Sequence, residues 1–307
     1  MVIPDFPDFY SLKLEDKKEY EELIADYPPV SDITFATLHI WWNLEGKLGL
    51  SKINGNLILN YNLPFDIRNS GWCLIGKHSV DKSIEEIFSY LKQHARPPKL
   101  VHVPDFVVEH IKGKEGLLIE EEADYHEYVC DSRQLADLAG HDHSRTRRKV
   151  NRFLREVEGR EVALKELDLH DPDVKKKIRE SIEQWQPARL SESDPDSIGI
   201  RAIKKTLDDS HHLETRNLAL FVDGQMQGIT LYHLSHDRRH YIVTHLKVDY
   251  TIPFIFDYLT NQIAVKAVSD DIPYLNMEMD LGLEGLRQHK LGLRPVNFFK
   301  KYTVSYK

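Results

Sequence analysis

Residues 218–248 read LALFVDGQMQGITLYHLSHDRRHYIVTHLKV, and this stretch decides the fold. Asp223-Gly224 is a strong two-residue turn signal between two runs rich in apolar and β-branched residues. The polar sequence HDRR, residues 236–239, separates the second run from a third. The stretch therefore predicts a meander of three antiparallel strands, over 218–222, 227–234 and 241–248.

Helices and further strands surround this meander. Before it, helical spacing of apolar residues predicts helices at 173–185 and 200–207, with the polar loop ARLSESDPDSIG, residues 188–199, near their junction. After it, the pattern predicts in order a helix at 251–268, a strand at 274–279, a short helix after Gly282 and a strand at 296–304. This order indicates a mixed central sheet flanked by helices, so we assign the chain to the α/β class.

The first half of the chain has a similar order of elements. Asn54-Gly55 predicts a hairpin between strands at 48–53 and 56–61. A further strand at 72–75 then precedes a helix at 79–95, which a pair of prolines ends. We therefore predict two domains, 1–135 and 136–307. The first lacks a charged strand end and is predicted to be structural, whereas the second carries the candidate site.

Composition limits the classes of function. The 307 residues include 41 Lys and Arg against 49 Asp and Glu, a net charge of -8, so the chain as a whole does not coat nucleic acid. The two cysteines, Cys73 and Cys130, exclude a disulfide framework and a cysteine-based metal site, and no histidine cluster has fixed carboxylate partners, so we predict no metal site. No apolar run approaches the roughly 18 residues of a transmembrane helix, and the acidic N-terminus is unlike a signal peptide. We expect a cytoplasmic protein.

A cationic segment, GHDHSRTRRKVNRFLRE at residues 140–156, contrasts with this acidic composition. Helical spacing puts apolar residues on one stripe, namely Val150, Phe153, Leu154 and Val157. The opposite stripe carries cations, namely Arg145, Arg148, Lys149, Arg152 and Arg155. Several guanidinium groups together suit phosphate oxygens, so we predict that this face binds an anion. The alternative is a solvated helix face paired with carboxylates.

Charged residues also follow the predicted strand at 274–279, in the stretch YLNMEMDLGLEGLRQHKLGLRP. If that strand continues to residue 280, Asn276, Glu278 and Asp280 share one face, where two carboxylates are costly to bury without a purpose. Arg287 and Lys290 then follow at helical spacing. A strand end, a glycine turn and clustered charge are typical of sites in open α/β sheets. The alternative is an ordinary capped helix with an acid–base pair three residues apart.

The third strand of the meander adds polar groups. In RHYIVTHLKVDY, residues 239–250, His245 and Lys247 alternate with apolar residues, so they can share a polar face with Asn276. We predict that these three residues bind substrate. The alternative is a polar strand edge that faces solvent.

The element order of the second half resembles that of GNAT-type acyltransferases, in which two central strands splay to admit an acyl donor. Members that use acetyl-CoA carry a glycine-bearing loop after the third meander strand, whose amides hold the pyrophosphate. The corresponding stretch here, VDYTIPFIFDYLT at residues 248–260, has no glycine, and Pro253 removes one amide donor. CoA binding is therefore disfavoured.

Two blocks resemble a known family. The sequences NMEMDLGLEGLRQHK, residues 276–290, and HSRTRRKVNRFLRE, residues 143–156, resemble the C-terminal domain of phosphatidylglycerol lysyltransferases and a set of stand-alone proteins grouped with it. The basic helix is more distantly similar to that of Fem-type peptidoglycan aminoacyltransferases. The resemblance implies tandem GNAT-like domains and a cytosolic transferase that takes an aminoacyl group from charged tRNA, an ester donor that needs no cofactor. The sequence has no counterpart of the membrane-spanning portion of the lysyltransferases, which leaves the lipid acceptor open.

The leading hypothesis is an aminoacyl or acyl transferase. An amine or hydroxyl of the acceptor, such as a lipid headgroup or a peptide, attacks the donor carbonyl. Glu278 or Asp280 accepts a proton or orients the acceptor, and Lys290 or Arg287 stabilises the oxyanion. Under the resemblance, the cations of residues 145–152 contact phosphates of the tRNA donor or of a headgroup. Two alternatives are an N-acetyltransferase with an atypical CoA cleft and a catalytically silent module that binds an anionic partner.

Overall fold

A computed structural model describes residues 1–44, 48–61, 70–185 and 195–307 of the chain. These residues form two compact units. The first comprises Met1–Glu127, Met279–Gly282 and Phe299–Lys307, and the second comprises Tyr128–Glu278 and Leu283–Phe298. Within the described ranges, each unit contains one mixed sheet of seven strands with helices against it, which confirms the predicted α/β class.

The strands and helices have the following bounds. The strands are β1 Tyr10–Ser11, β2 Gly49–Ile53, β3 Asn56–Tyr61, β4 Gly71–Ile75, β5 Lys99–Pro104, β6 Leu117–Glu121, β7 Glu127–Asp131, β8 Val162–Lys165, β9 Arg216–Val222, β10 Gln225–Leu234, β11 His240–Val248, β12 Tyr274–Asn276, β13 Asn297–Phe299 and β14 Lys301–Tyr306. The helices are α1 Lys17–Ile24, α2 Phe35–Thr37, α3 Val80–Gln93, α4 Asp105–Val108, α5 Ser132–Asp137, α6 Ser144–Glu156, α7 Pro172–Gln184, α8 Pro195–Asp208, α9 Ser210–Leu213, α10 Ile255–Ser269 and α11 Glu284–Gly292. Short 3₁₀ and π turns complete the described helical segments, at Leu14–Asp16, Ser31–Ile33, Leu38–Trp42 and Ala123–Tyr125. Most of the predicted loop at 188–199 lies outside the described residues, and α8 begins earlier than the helix predicted at 200–207.

The predicted meander is confirmed in the second unit, whose sheet has the order β13-β7-β12-β11-β10-β9-β8. Strands β9, β10 and β11 pair antiparallel, and their alternating apolar residues are buried. Strand β12 then runs parallel to β11, with Tyr274–Asn276 opposite His240–Ile242. Because β11 continues to Val248 while β12 ends, the second half of β11 has no β12 partner.

The first sheet follows the same plan, in the order β1-β2-β3-β4-β5-β14-β6. Strands β2, β3 and β4 form an antiparallel meander, and β5 runs parallel to β4 with Trp72 opposite Leu100. The next strand in each sheet comes from a distant part of the chain: β14 pairs with β5 in the first sheet, and β7 pairs with β12 in the second. This exchange places segments of both chain halves in each unit, so the units differ from the predicted ranges 1–135 and 136–307.

Two predicted strands near the C-terminus are wrong in their extent. The strand predicted at 274–279 stops at Asn276, because Glu278 and Leu281 adopt left-handed backbone angles, with φ of 54° and 56°. The strand predicted at 296–304 is two strands, β13 and β14, which belong to different sheets. The hydrogen-bonding partners change at Lys300, whose carbonyl accepts from the Asp105 N–H at 3.0 Å.

Helices cover both faces of the second sheet. On one face, α5, α6 and α10 pack apolar side chains such as Phe153 and Leu259 against Leu220 and Val243. On the other face, α7 and α8 cover a separate apolar cluster that includes Ile229 of β10. This division decides which polar residues of the unit can meet, because side chains on opposite faces of a sheet are separated by its backbone.

Candidate functional site

Helix α6 confirms the predicted cationic segment. Its 13 residues carry six cations and one acid, and Val150 and Phe153 are buried in the core. Leu154, predicted on the apolar stripe, is 46 % exposed, since it lies at the edge of that stripe. Three predicted binding residues are exposed, namely Arg145, Arg148 and Arg152. Arg155, on the same stripe, is exposed as well. We call these four arginines the cationic face.

Lys149 differs from the four arginines because it turns toward the core. It is half-buried at the border of the two stripes, and its Nζ lies 2.8 Å from Oδ1 of Asp257 in the first turn of α10. Nδ1 of His289, on α11, lies 3.6 Å from the same oxygen. Three helices of one unit thus each contribute one titratable group, and we call Lys149, Asp257 and His289 the three-helix cluster.

The charge state of His289 follows from its surroundings. Burial lowers the pKa of His289 to about 4; the Asp257 carboxylate opposes this shift, and the cations Lys149 and Lys290 add to it. The imidazole is therefore neutral at pH 7. Its Nε2 is buried and has no hydrogen-bond partner among the described residues. A neutral imidazole can accept a proton from a substrate through its unprotonated nitrogen, and burial and the nearby cations make His289 a weaker base than a histidine in water.

Lys290, a predicted catalytic residue, lies in the same region. It is 7 % exposed, and its Nζ is 5.9 Å from the ring centroid of Tyr128. Its charge is among the causes that lower the pKa of the adjacent His289. A buried ammonium is a strong local source of positive potential, because little water screens it. The structure therefore brings two predicted residues, Lys149 and Lys290, to the same buried imidazole.

Three other predicted binding residues lie on the opposite face of the sheet. Nε2 of His245 is 2.9 Å from Oγ1 of Thr206 on α8, and a Cβ built on Gly199 of α8 would be 3.9 Å from Nζ of Lys247. Asn276 follows Leu275, which packs on the α10 side, so strand alternation directs Asn276 away from that side. Burial, and then His233 and Lys247, hold the pKa of His245 well below its usual value. These residues do not join the three-helix cluster.

The predicted common face of Asn276, Glu278 and Asp280 is not formed. The Glu278 N–H donates to Oδ1 of Asn276 at 2.9 Å, which turns the chain immediately after β12. Asp280 is fully buried, belongs to the first unit, and accepts from the Gly282 N–H at 2.8 Å. Arg287 is half-buried on α11, about one turn before Lys290. The three side chains do not alternate onto one face, because β12 ends at Asn276.

The first unit contains a charge cluster of a different kind. Lys301 on β14 contacts Asp32, and its Nζ is 2.8 Å from Oε1 of Glu127. All three side chains are at most 2 % exposed. The Ser31 N–H donates to Glu127 at 2.7 Å, and Trp42 Nε1–H donates to Asp32 at 3.1 Å. We call Lys301, Asp32 and Glu127 the buried triad; each of its carboxylates pairs with Lys301 and accepts one further hydrogen bond from the fold.

The described residues contain no group of three or more His, Cys, Asp and Glu side chains that could hold a metal ion. The histidines of the β10–β11 hairpin have other partners: His233 Nε2 lies 3.0 Å from Thr215 Oγ1, and His240 Nδ1 lies 3.1 Å from Asp237. Across the parts of the chain that the structure describes, no helix is long and apolar enough to cross a membrane.

Comparison with known proteins identifies the family. A family model described as "Phosphatidylglycerol lysyltransferase, C-terminal" matches residues 42–305. The chain belongs to this family. The match spans α6, α11 and the whole sheet of the second unit, so the predicted resemblance is confirmed. A search of curated protein sequences finds no match.

Solved structures confirm the fold of this family member. A conserved protein of unknown function from Bacteroides thetaiotaomicron VPI-5482 is 19% identical with a TM-score of 0.80, covering 97% of this chain and 99% of that one. L-PGS from Bacillus licheniformis is 13% identical with a TM-score of 0.61, covering 100% and 94%. FemX is 9% identical with a TM-score of 0.57, covering 98% and 97%. The predicted arrangement of two mixed sheets flanked by helices is confirmed, and it is similar to the folds of L-PGS and FemX.

Sequence reasoning missed two residues of the three-helix cluster, Asp257 and His289. Asp257 had one usable signal, since an acid in the first turn of a helix is favoured by the helix dipole. His289 stands beside Lys290 in a block that was already singled out, but nothing local indicates its burial. Their partner Lys149 lies 108 residues from Asp257 in the chain, too far for any periodicity to connect them.

Proposed function

We propose that this protein is an aminoacyl transferase that moves an aminoacyl group from charged tRNA to an amine or hydroxyl of a lipid headgroup or a peptide. The observation that carries the proposal is the neutral His289, whose Nε2 is buried beside Lys149 and Lys290 and has no hydrogen-bond partner in the described parts of the chain. Family membership supports it, because the family is named for the transfer of a lysyl group. The proposal implies a cytoplasmic protein, since charged tRNA is a cytoplasmic molecule.

The reaction assigns one step to each group. The acceptor nitrogen or oxygen attacks the ester carbonyl of the donor, and His289 Nε2 takes the proton that the nucleophile loses. Lys290 stabilises the negative charge that develops on the carbonyl oxygen, with Arg287 about one turn before it on α11. The C–O ester bond then breaks, and the proton passes to the departing tRNA hydroxyl. Asp257 holds the imidazole, and Lys149 holds Asp257.

The remaining predicted residues receive revised roles in this proposal. Glu278 is half-buried and stays a candidate to orient the acceptor. The carboxylate of Asp280 accepts a backbone hydrogen bond within its own turn, so we assign it to turn formation. His245, Lys247 and Asn276 lie on the α8 side of the sheet, away from the three-helix cluster, so we assign them no part in the transfer step.

An ester donor fits this site better than acetyl-CoA. A CoA pyrophosphate would need the positive end of a helix, but the first turn of α10 carries the Asp257 carboxylate. Pro253 cannot donate a hydrogen bond, and Phe254 at the start of α10 adopts a left-handed φ of 63°. A carboxylate at that position repels a diphosphate. The proposal therefore requires no cofactor.

Transfer of a radiolabelled aminoacyl group tests the proposal directly. Bulk tRNA charged with a labelled amino acid mixture is incubated with the protein and with lipid or peptide extract, and label in the acceptor is measured. We expect His289→Gln and Lys290→Ala each to lower the rate by about 10²- to 10⁴-fold. Lys176→Ala, on the exposed surface of α7, is the matched control and should transfer at the wild-type rate.

Two outcomes would contradict this function. The proposed function is contradicted if no donor and acceptor mixture gives transfer. It is also contradicted if the wild type and both variants transfer at equal rates. Saturable binding of acetyl-CoA, measured by calorimetry, would instead favour the N-acetyltransferase alternative.

A further inference from the structure

An aromatic segment borders the cationic face of α6. Between β11 and the first turn of α10, the chain presents Tyr250, Phe254 and Phe256, which we call the aromatic platform. Tyr250 is 71 % exposed, and its ring stacks on that of Phe256 with an interplanar angle of 12°. The guanidinium of Arg152 lies 4.8 Å from the centroid of Phe254. The platform and the cationic face are therefore one continuous surface of the second unit.

This surface has a net positive character. The platform segment, residues 249–257, contains two acids, and both serve the fold. Oδ1 of Asp249 accepts from the Thr251 N–H at 2.9 Å, and Asp257 pairs with Lys149 at 2.8 Å. Asp257 is thus paired with a cation and Asp249 is held in its turn by a backbone N–H, whereas the arginines of the cationic face are exposed. A ligand for this surface should be anionic and should also carry flat rings.

The platform also leads to the three-helix cluster. The ring of Phe256 meets the ring of His289 edge to face, with centroids 4.8 Å apart. A chain of three rings, Tyr250, Phe256 and His289, therefore runs from the exposed surface to the buried imidazole. A ligand that stacks on Tyr250 is bound two rings away from the proposed general base.

Single-stranded nucleic acid matches these features. Unpaired bases stack on exposed aromatic rings, and arginines beside the rings bind the phosphates that link the bases. A duplex hides its base faces and could use only the arginines. A lipid bilayer fits less well, because an interfacial surface needs a broad apolar face, and here the solvent side of α6 exposes Leu154 among arginines.

We propose that the aromatic platform stacks the unpaired 3′ end of an RNA while the cationic face binds its phosphates. This inference rests on the proposed function, in that the RNA would be the charged tRNA donor, and it deepens that function by assigning the unpaired tail to Tyr250. The tail would enter along α6 and place its terminal ester near His289.

Binding of two RNAs tests the inference. The dissociation constant is measured for uncharged tRNA with its unpaired 3′ tail and for the same tRNA with the tail removed. Stacking of a base contributes about 5- to 150-fold in affinity, so we expect tail removal to weaken binding by that factor. Tyr250→Ala should weaken binding of intact tRNA equally and leave binding of the tail-less tRNA unchanged. Tyr250→Phe should retain the wild-type affinity.

Control variants separate stacking from charge and from folding. Val265→Ala removes an exposed apolar side chain outside the platform, on α10, and should leave both dissociation constants unchanged. The double variant Arg148→Glu, Arg152→Glu should weaken the binding of both RNAs and reduce the dependence of binding on salt. Thermal unfolding of every variant confirms that the second unit is folded.

The inference is overturned if Tyr250→Ala weakens the binding of both RNAs equally, or weakens the binding of neither. It is also overturned if Tyr250→Ala lowers binding to phosphatidylglycerol vesicles and not to RNA, which would assign the surface to a membrane. Its failure is separable from that of the proposed function. If the tail binds through Tyr250 but no aminoacyl transfer occurs, only the proposed function is contradicted. If transfer occurs and Tyr250→Ala does not affect it, only the proposed role of the aromatic platform is contradicted.

Discussion

The two units share a strand plan but place their charged residues differently. Each sheet has an antiparallel meander, then a parallel strand, then a strand from a distant part of the chain. In the first unit, the buried triad of Lys301, Asp32 and Glu127 is almost fully removed from solvent. In the second unit, the three-helix cluster has side chains that are 12 % to 32 % exposed, and none of the residues that the structure describes hydrogen-bonds to His289 Nε2. A sealed cluster of paired charges serves the fold, whereas a partly open cluster can serve a reaction.

The largest difference should appear when the central charge of the buried triad is removed. Lys301→Met leaves two carboxylates buried without a cation, so we expect the free energy of unfolding to fall by about 3–5 kcal/mol. Urea unfolding followed by fluorescence measures this. The matched control is Lys300→Met, which removes an exposed ion pair with Glu121 and should cost less than about 1 kcal/mol. Equal losses for the two adjacent lysines would show that burial does not distinguish them.

The matching change in the second unit should affect activity rather than stability. In His289→Gln the buried imidazole is replaced by an amide, so aminoacyl transfer should fall by about 10²-fold or more. The free energy of unfolding should change by about 1 kcal/mol or less, because the histidine is neutral in the folded protein. Transfer assays and urea unfolding on the same preparation measure both quantities. A loss of transfer that only parallels a loss of folded protein would remove the contrast between the units.

The two units should lose stability in different ranges of acidic pH. Burial, opposed by Asp257, lowers the pKa of His289 to about 4, so its contribution to stability is present above pH 6.5 and is lost as the pH falls toward 4. Burial alone would raise the pKa of Glu122 in the first unit, but hydrogen bonds from His102 and Thr303 lower it to about 2. Its contribution is present above pH 4.5 and is lost as the pH falls toward 2.

Variants assign each pH window to its group. Urea unfolding at half-unit pH intervals should show that His289→Gln reduces the loss of stability between pH 6.5 and 4, by at most about 1.4 kcal/mol per pH unit. Glu122→Gln should change only the window between pH 4.5 and 2. If either variant altered the other window, the two groups would not titrate independently.

Local patterns were sufficient to predict much of this fold. Asp223-Gly224 and the alternating runs beside it gave the meander, and the amphipathic spacing of Val150 and Phe153 gave α6. The exchange of β7 and β14 could not be predicted, because pairing between strands separated by more than a hundred residues leaves no periodic signal. The strand that begins at Tyr274 was predicted to be longer than it is. The left-handed backbone of Glu278, which ends it, is a property of the folded turn and not of its composition.

The site shows the same division between local and distant information. Lys290 and the arginines of α6 could be proposed from the sequence because charge clusters within one helix are visible in it. Asp257 and His289 were missed because each acquires its role from helices that meet only in the folded unit. His245 and Lys247 were correctly placed on one side of β11, but nothing in the sequence stated that α6 lies on the other side.

The smallest expected effect concerns the link between α6 and α11. Thr146 Oγ1 donates to the Gly292 carbonyl at 3.1 Å, which ties the helix of Lys149 to the helix of His289. Thr146→Val keeps the shape but removes this donor, so unfolding should cost about 1 kcal/mol less. Thr251→Val, at an exposed position, is the isosteric control and should change stability by less than about 0.5 kcal/mol. If the link only stabilises the unit, transfer by the folded variant is unchanged; if it also positions His289, the transfer rate falls while the tRNA dissociation constant does not. That second result would show that the second unit depends on the spacing of its helices for its chemistry, as the first unit depends on its buried charges for its fold.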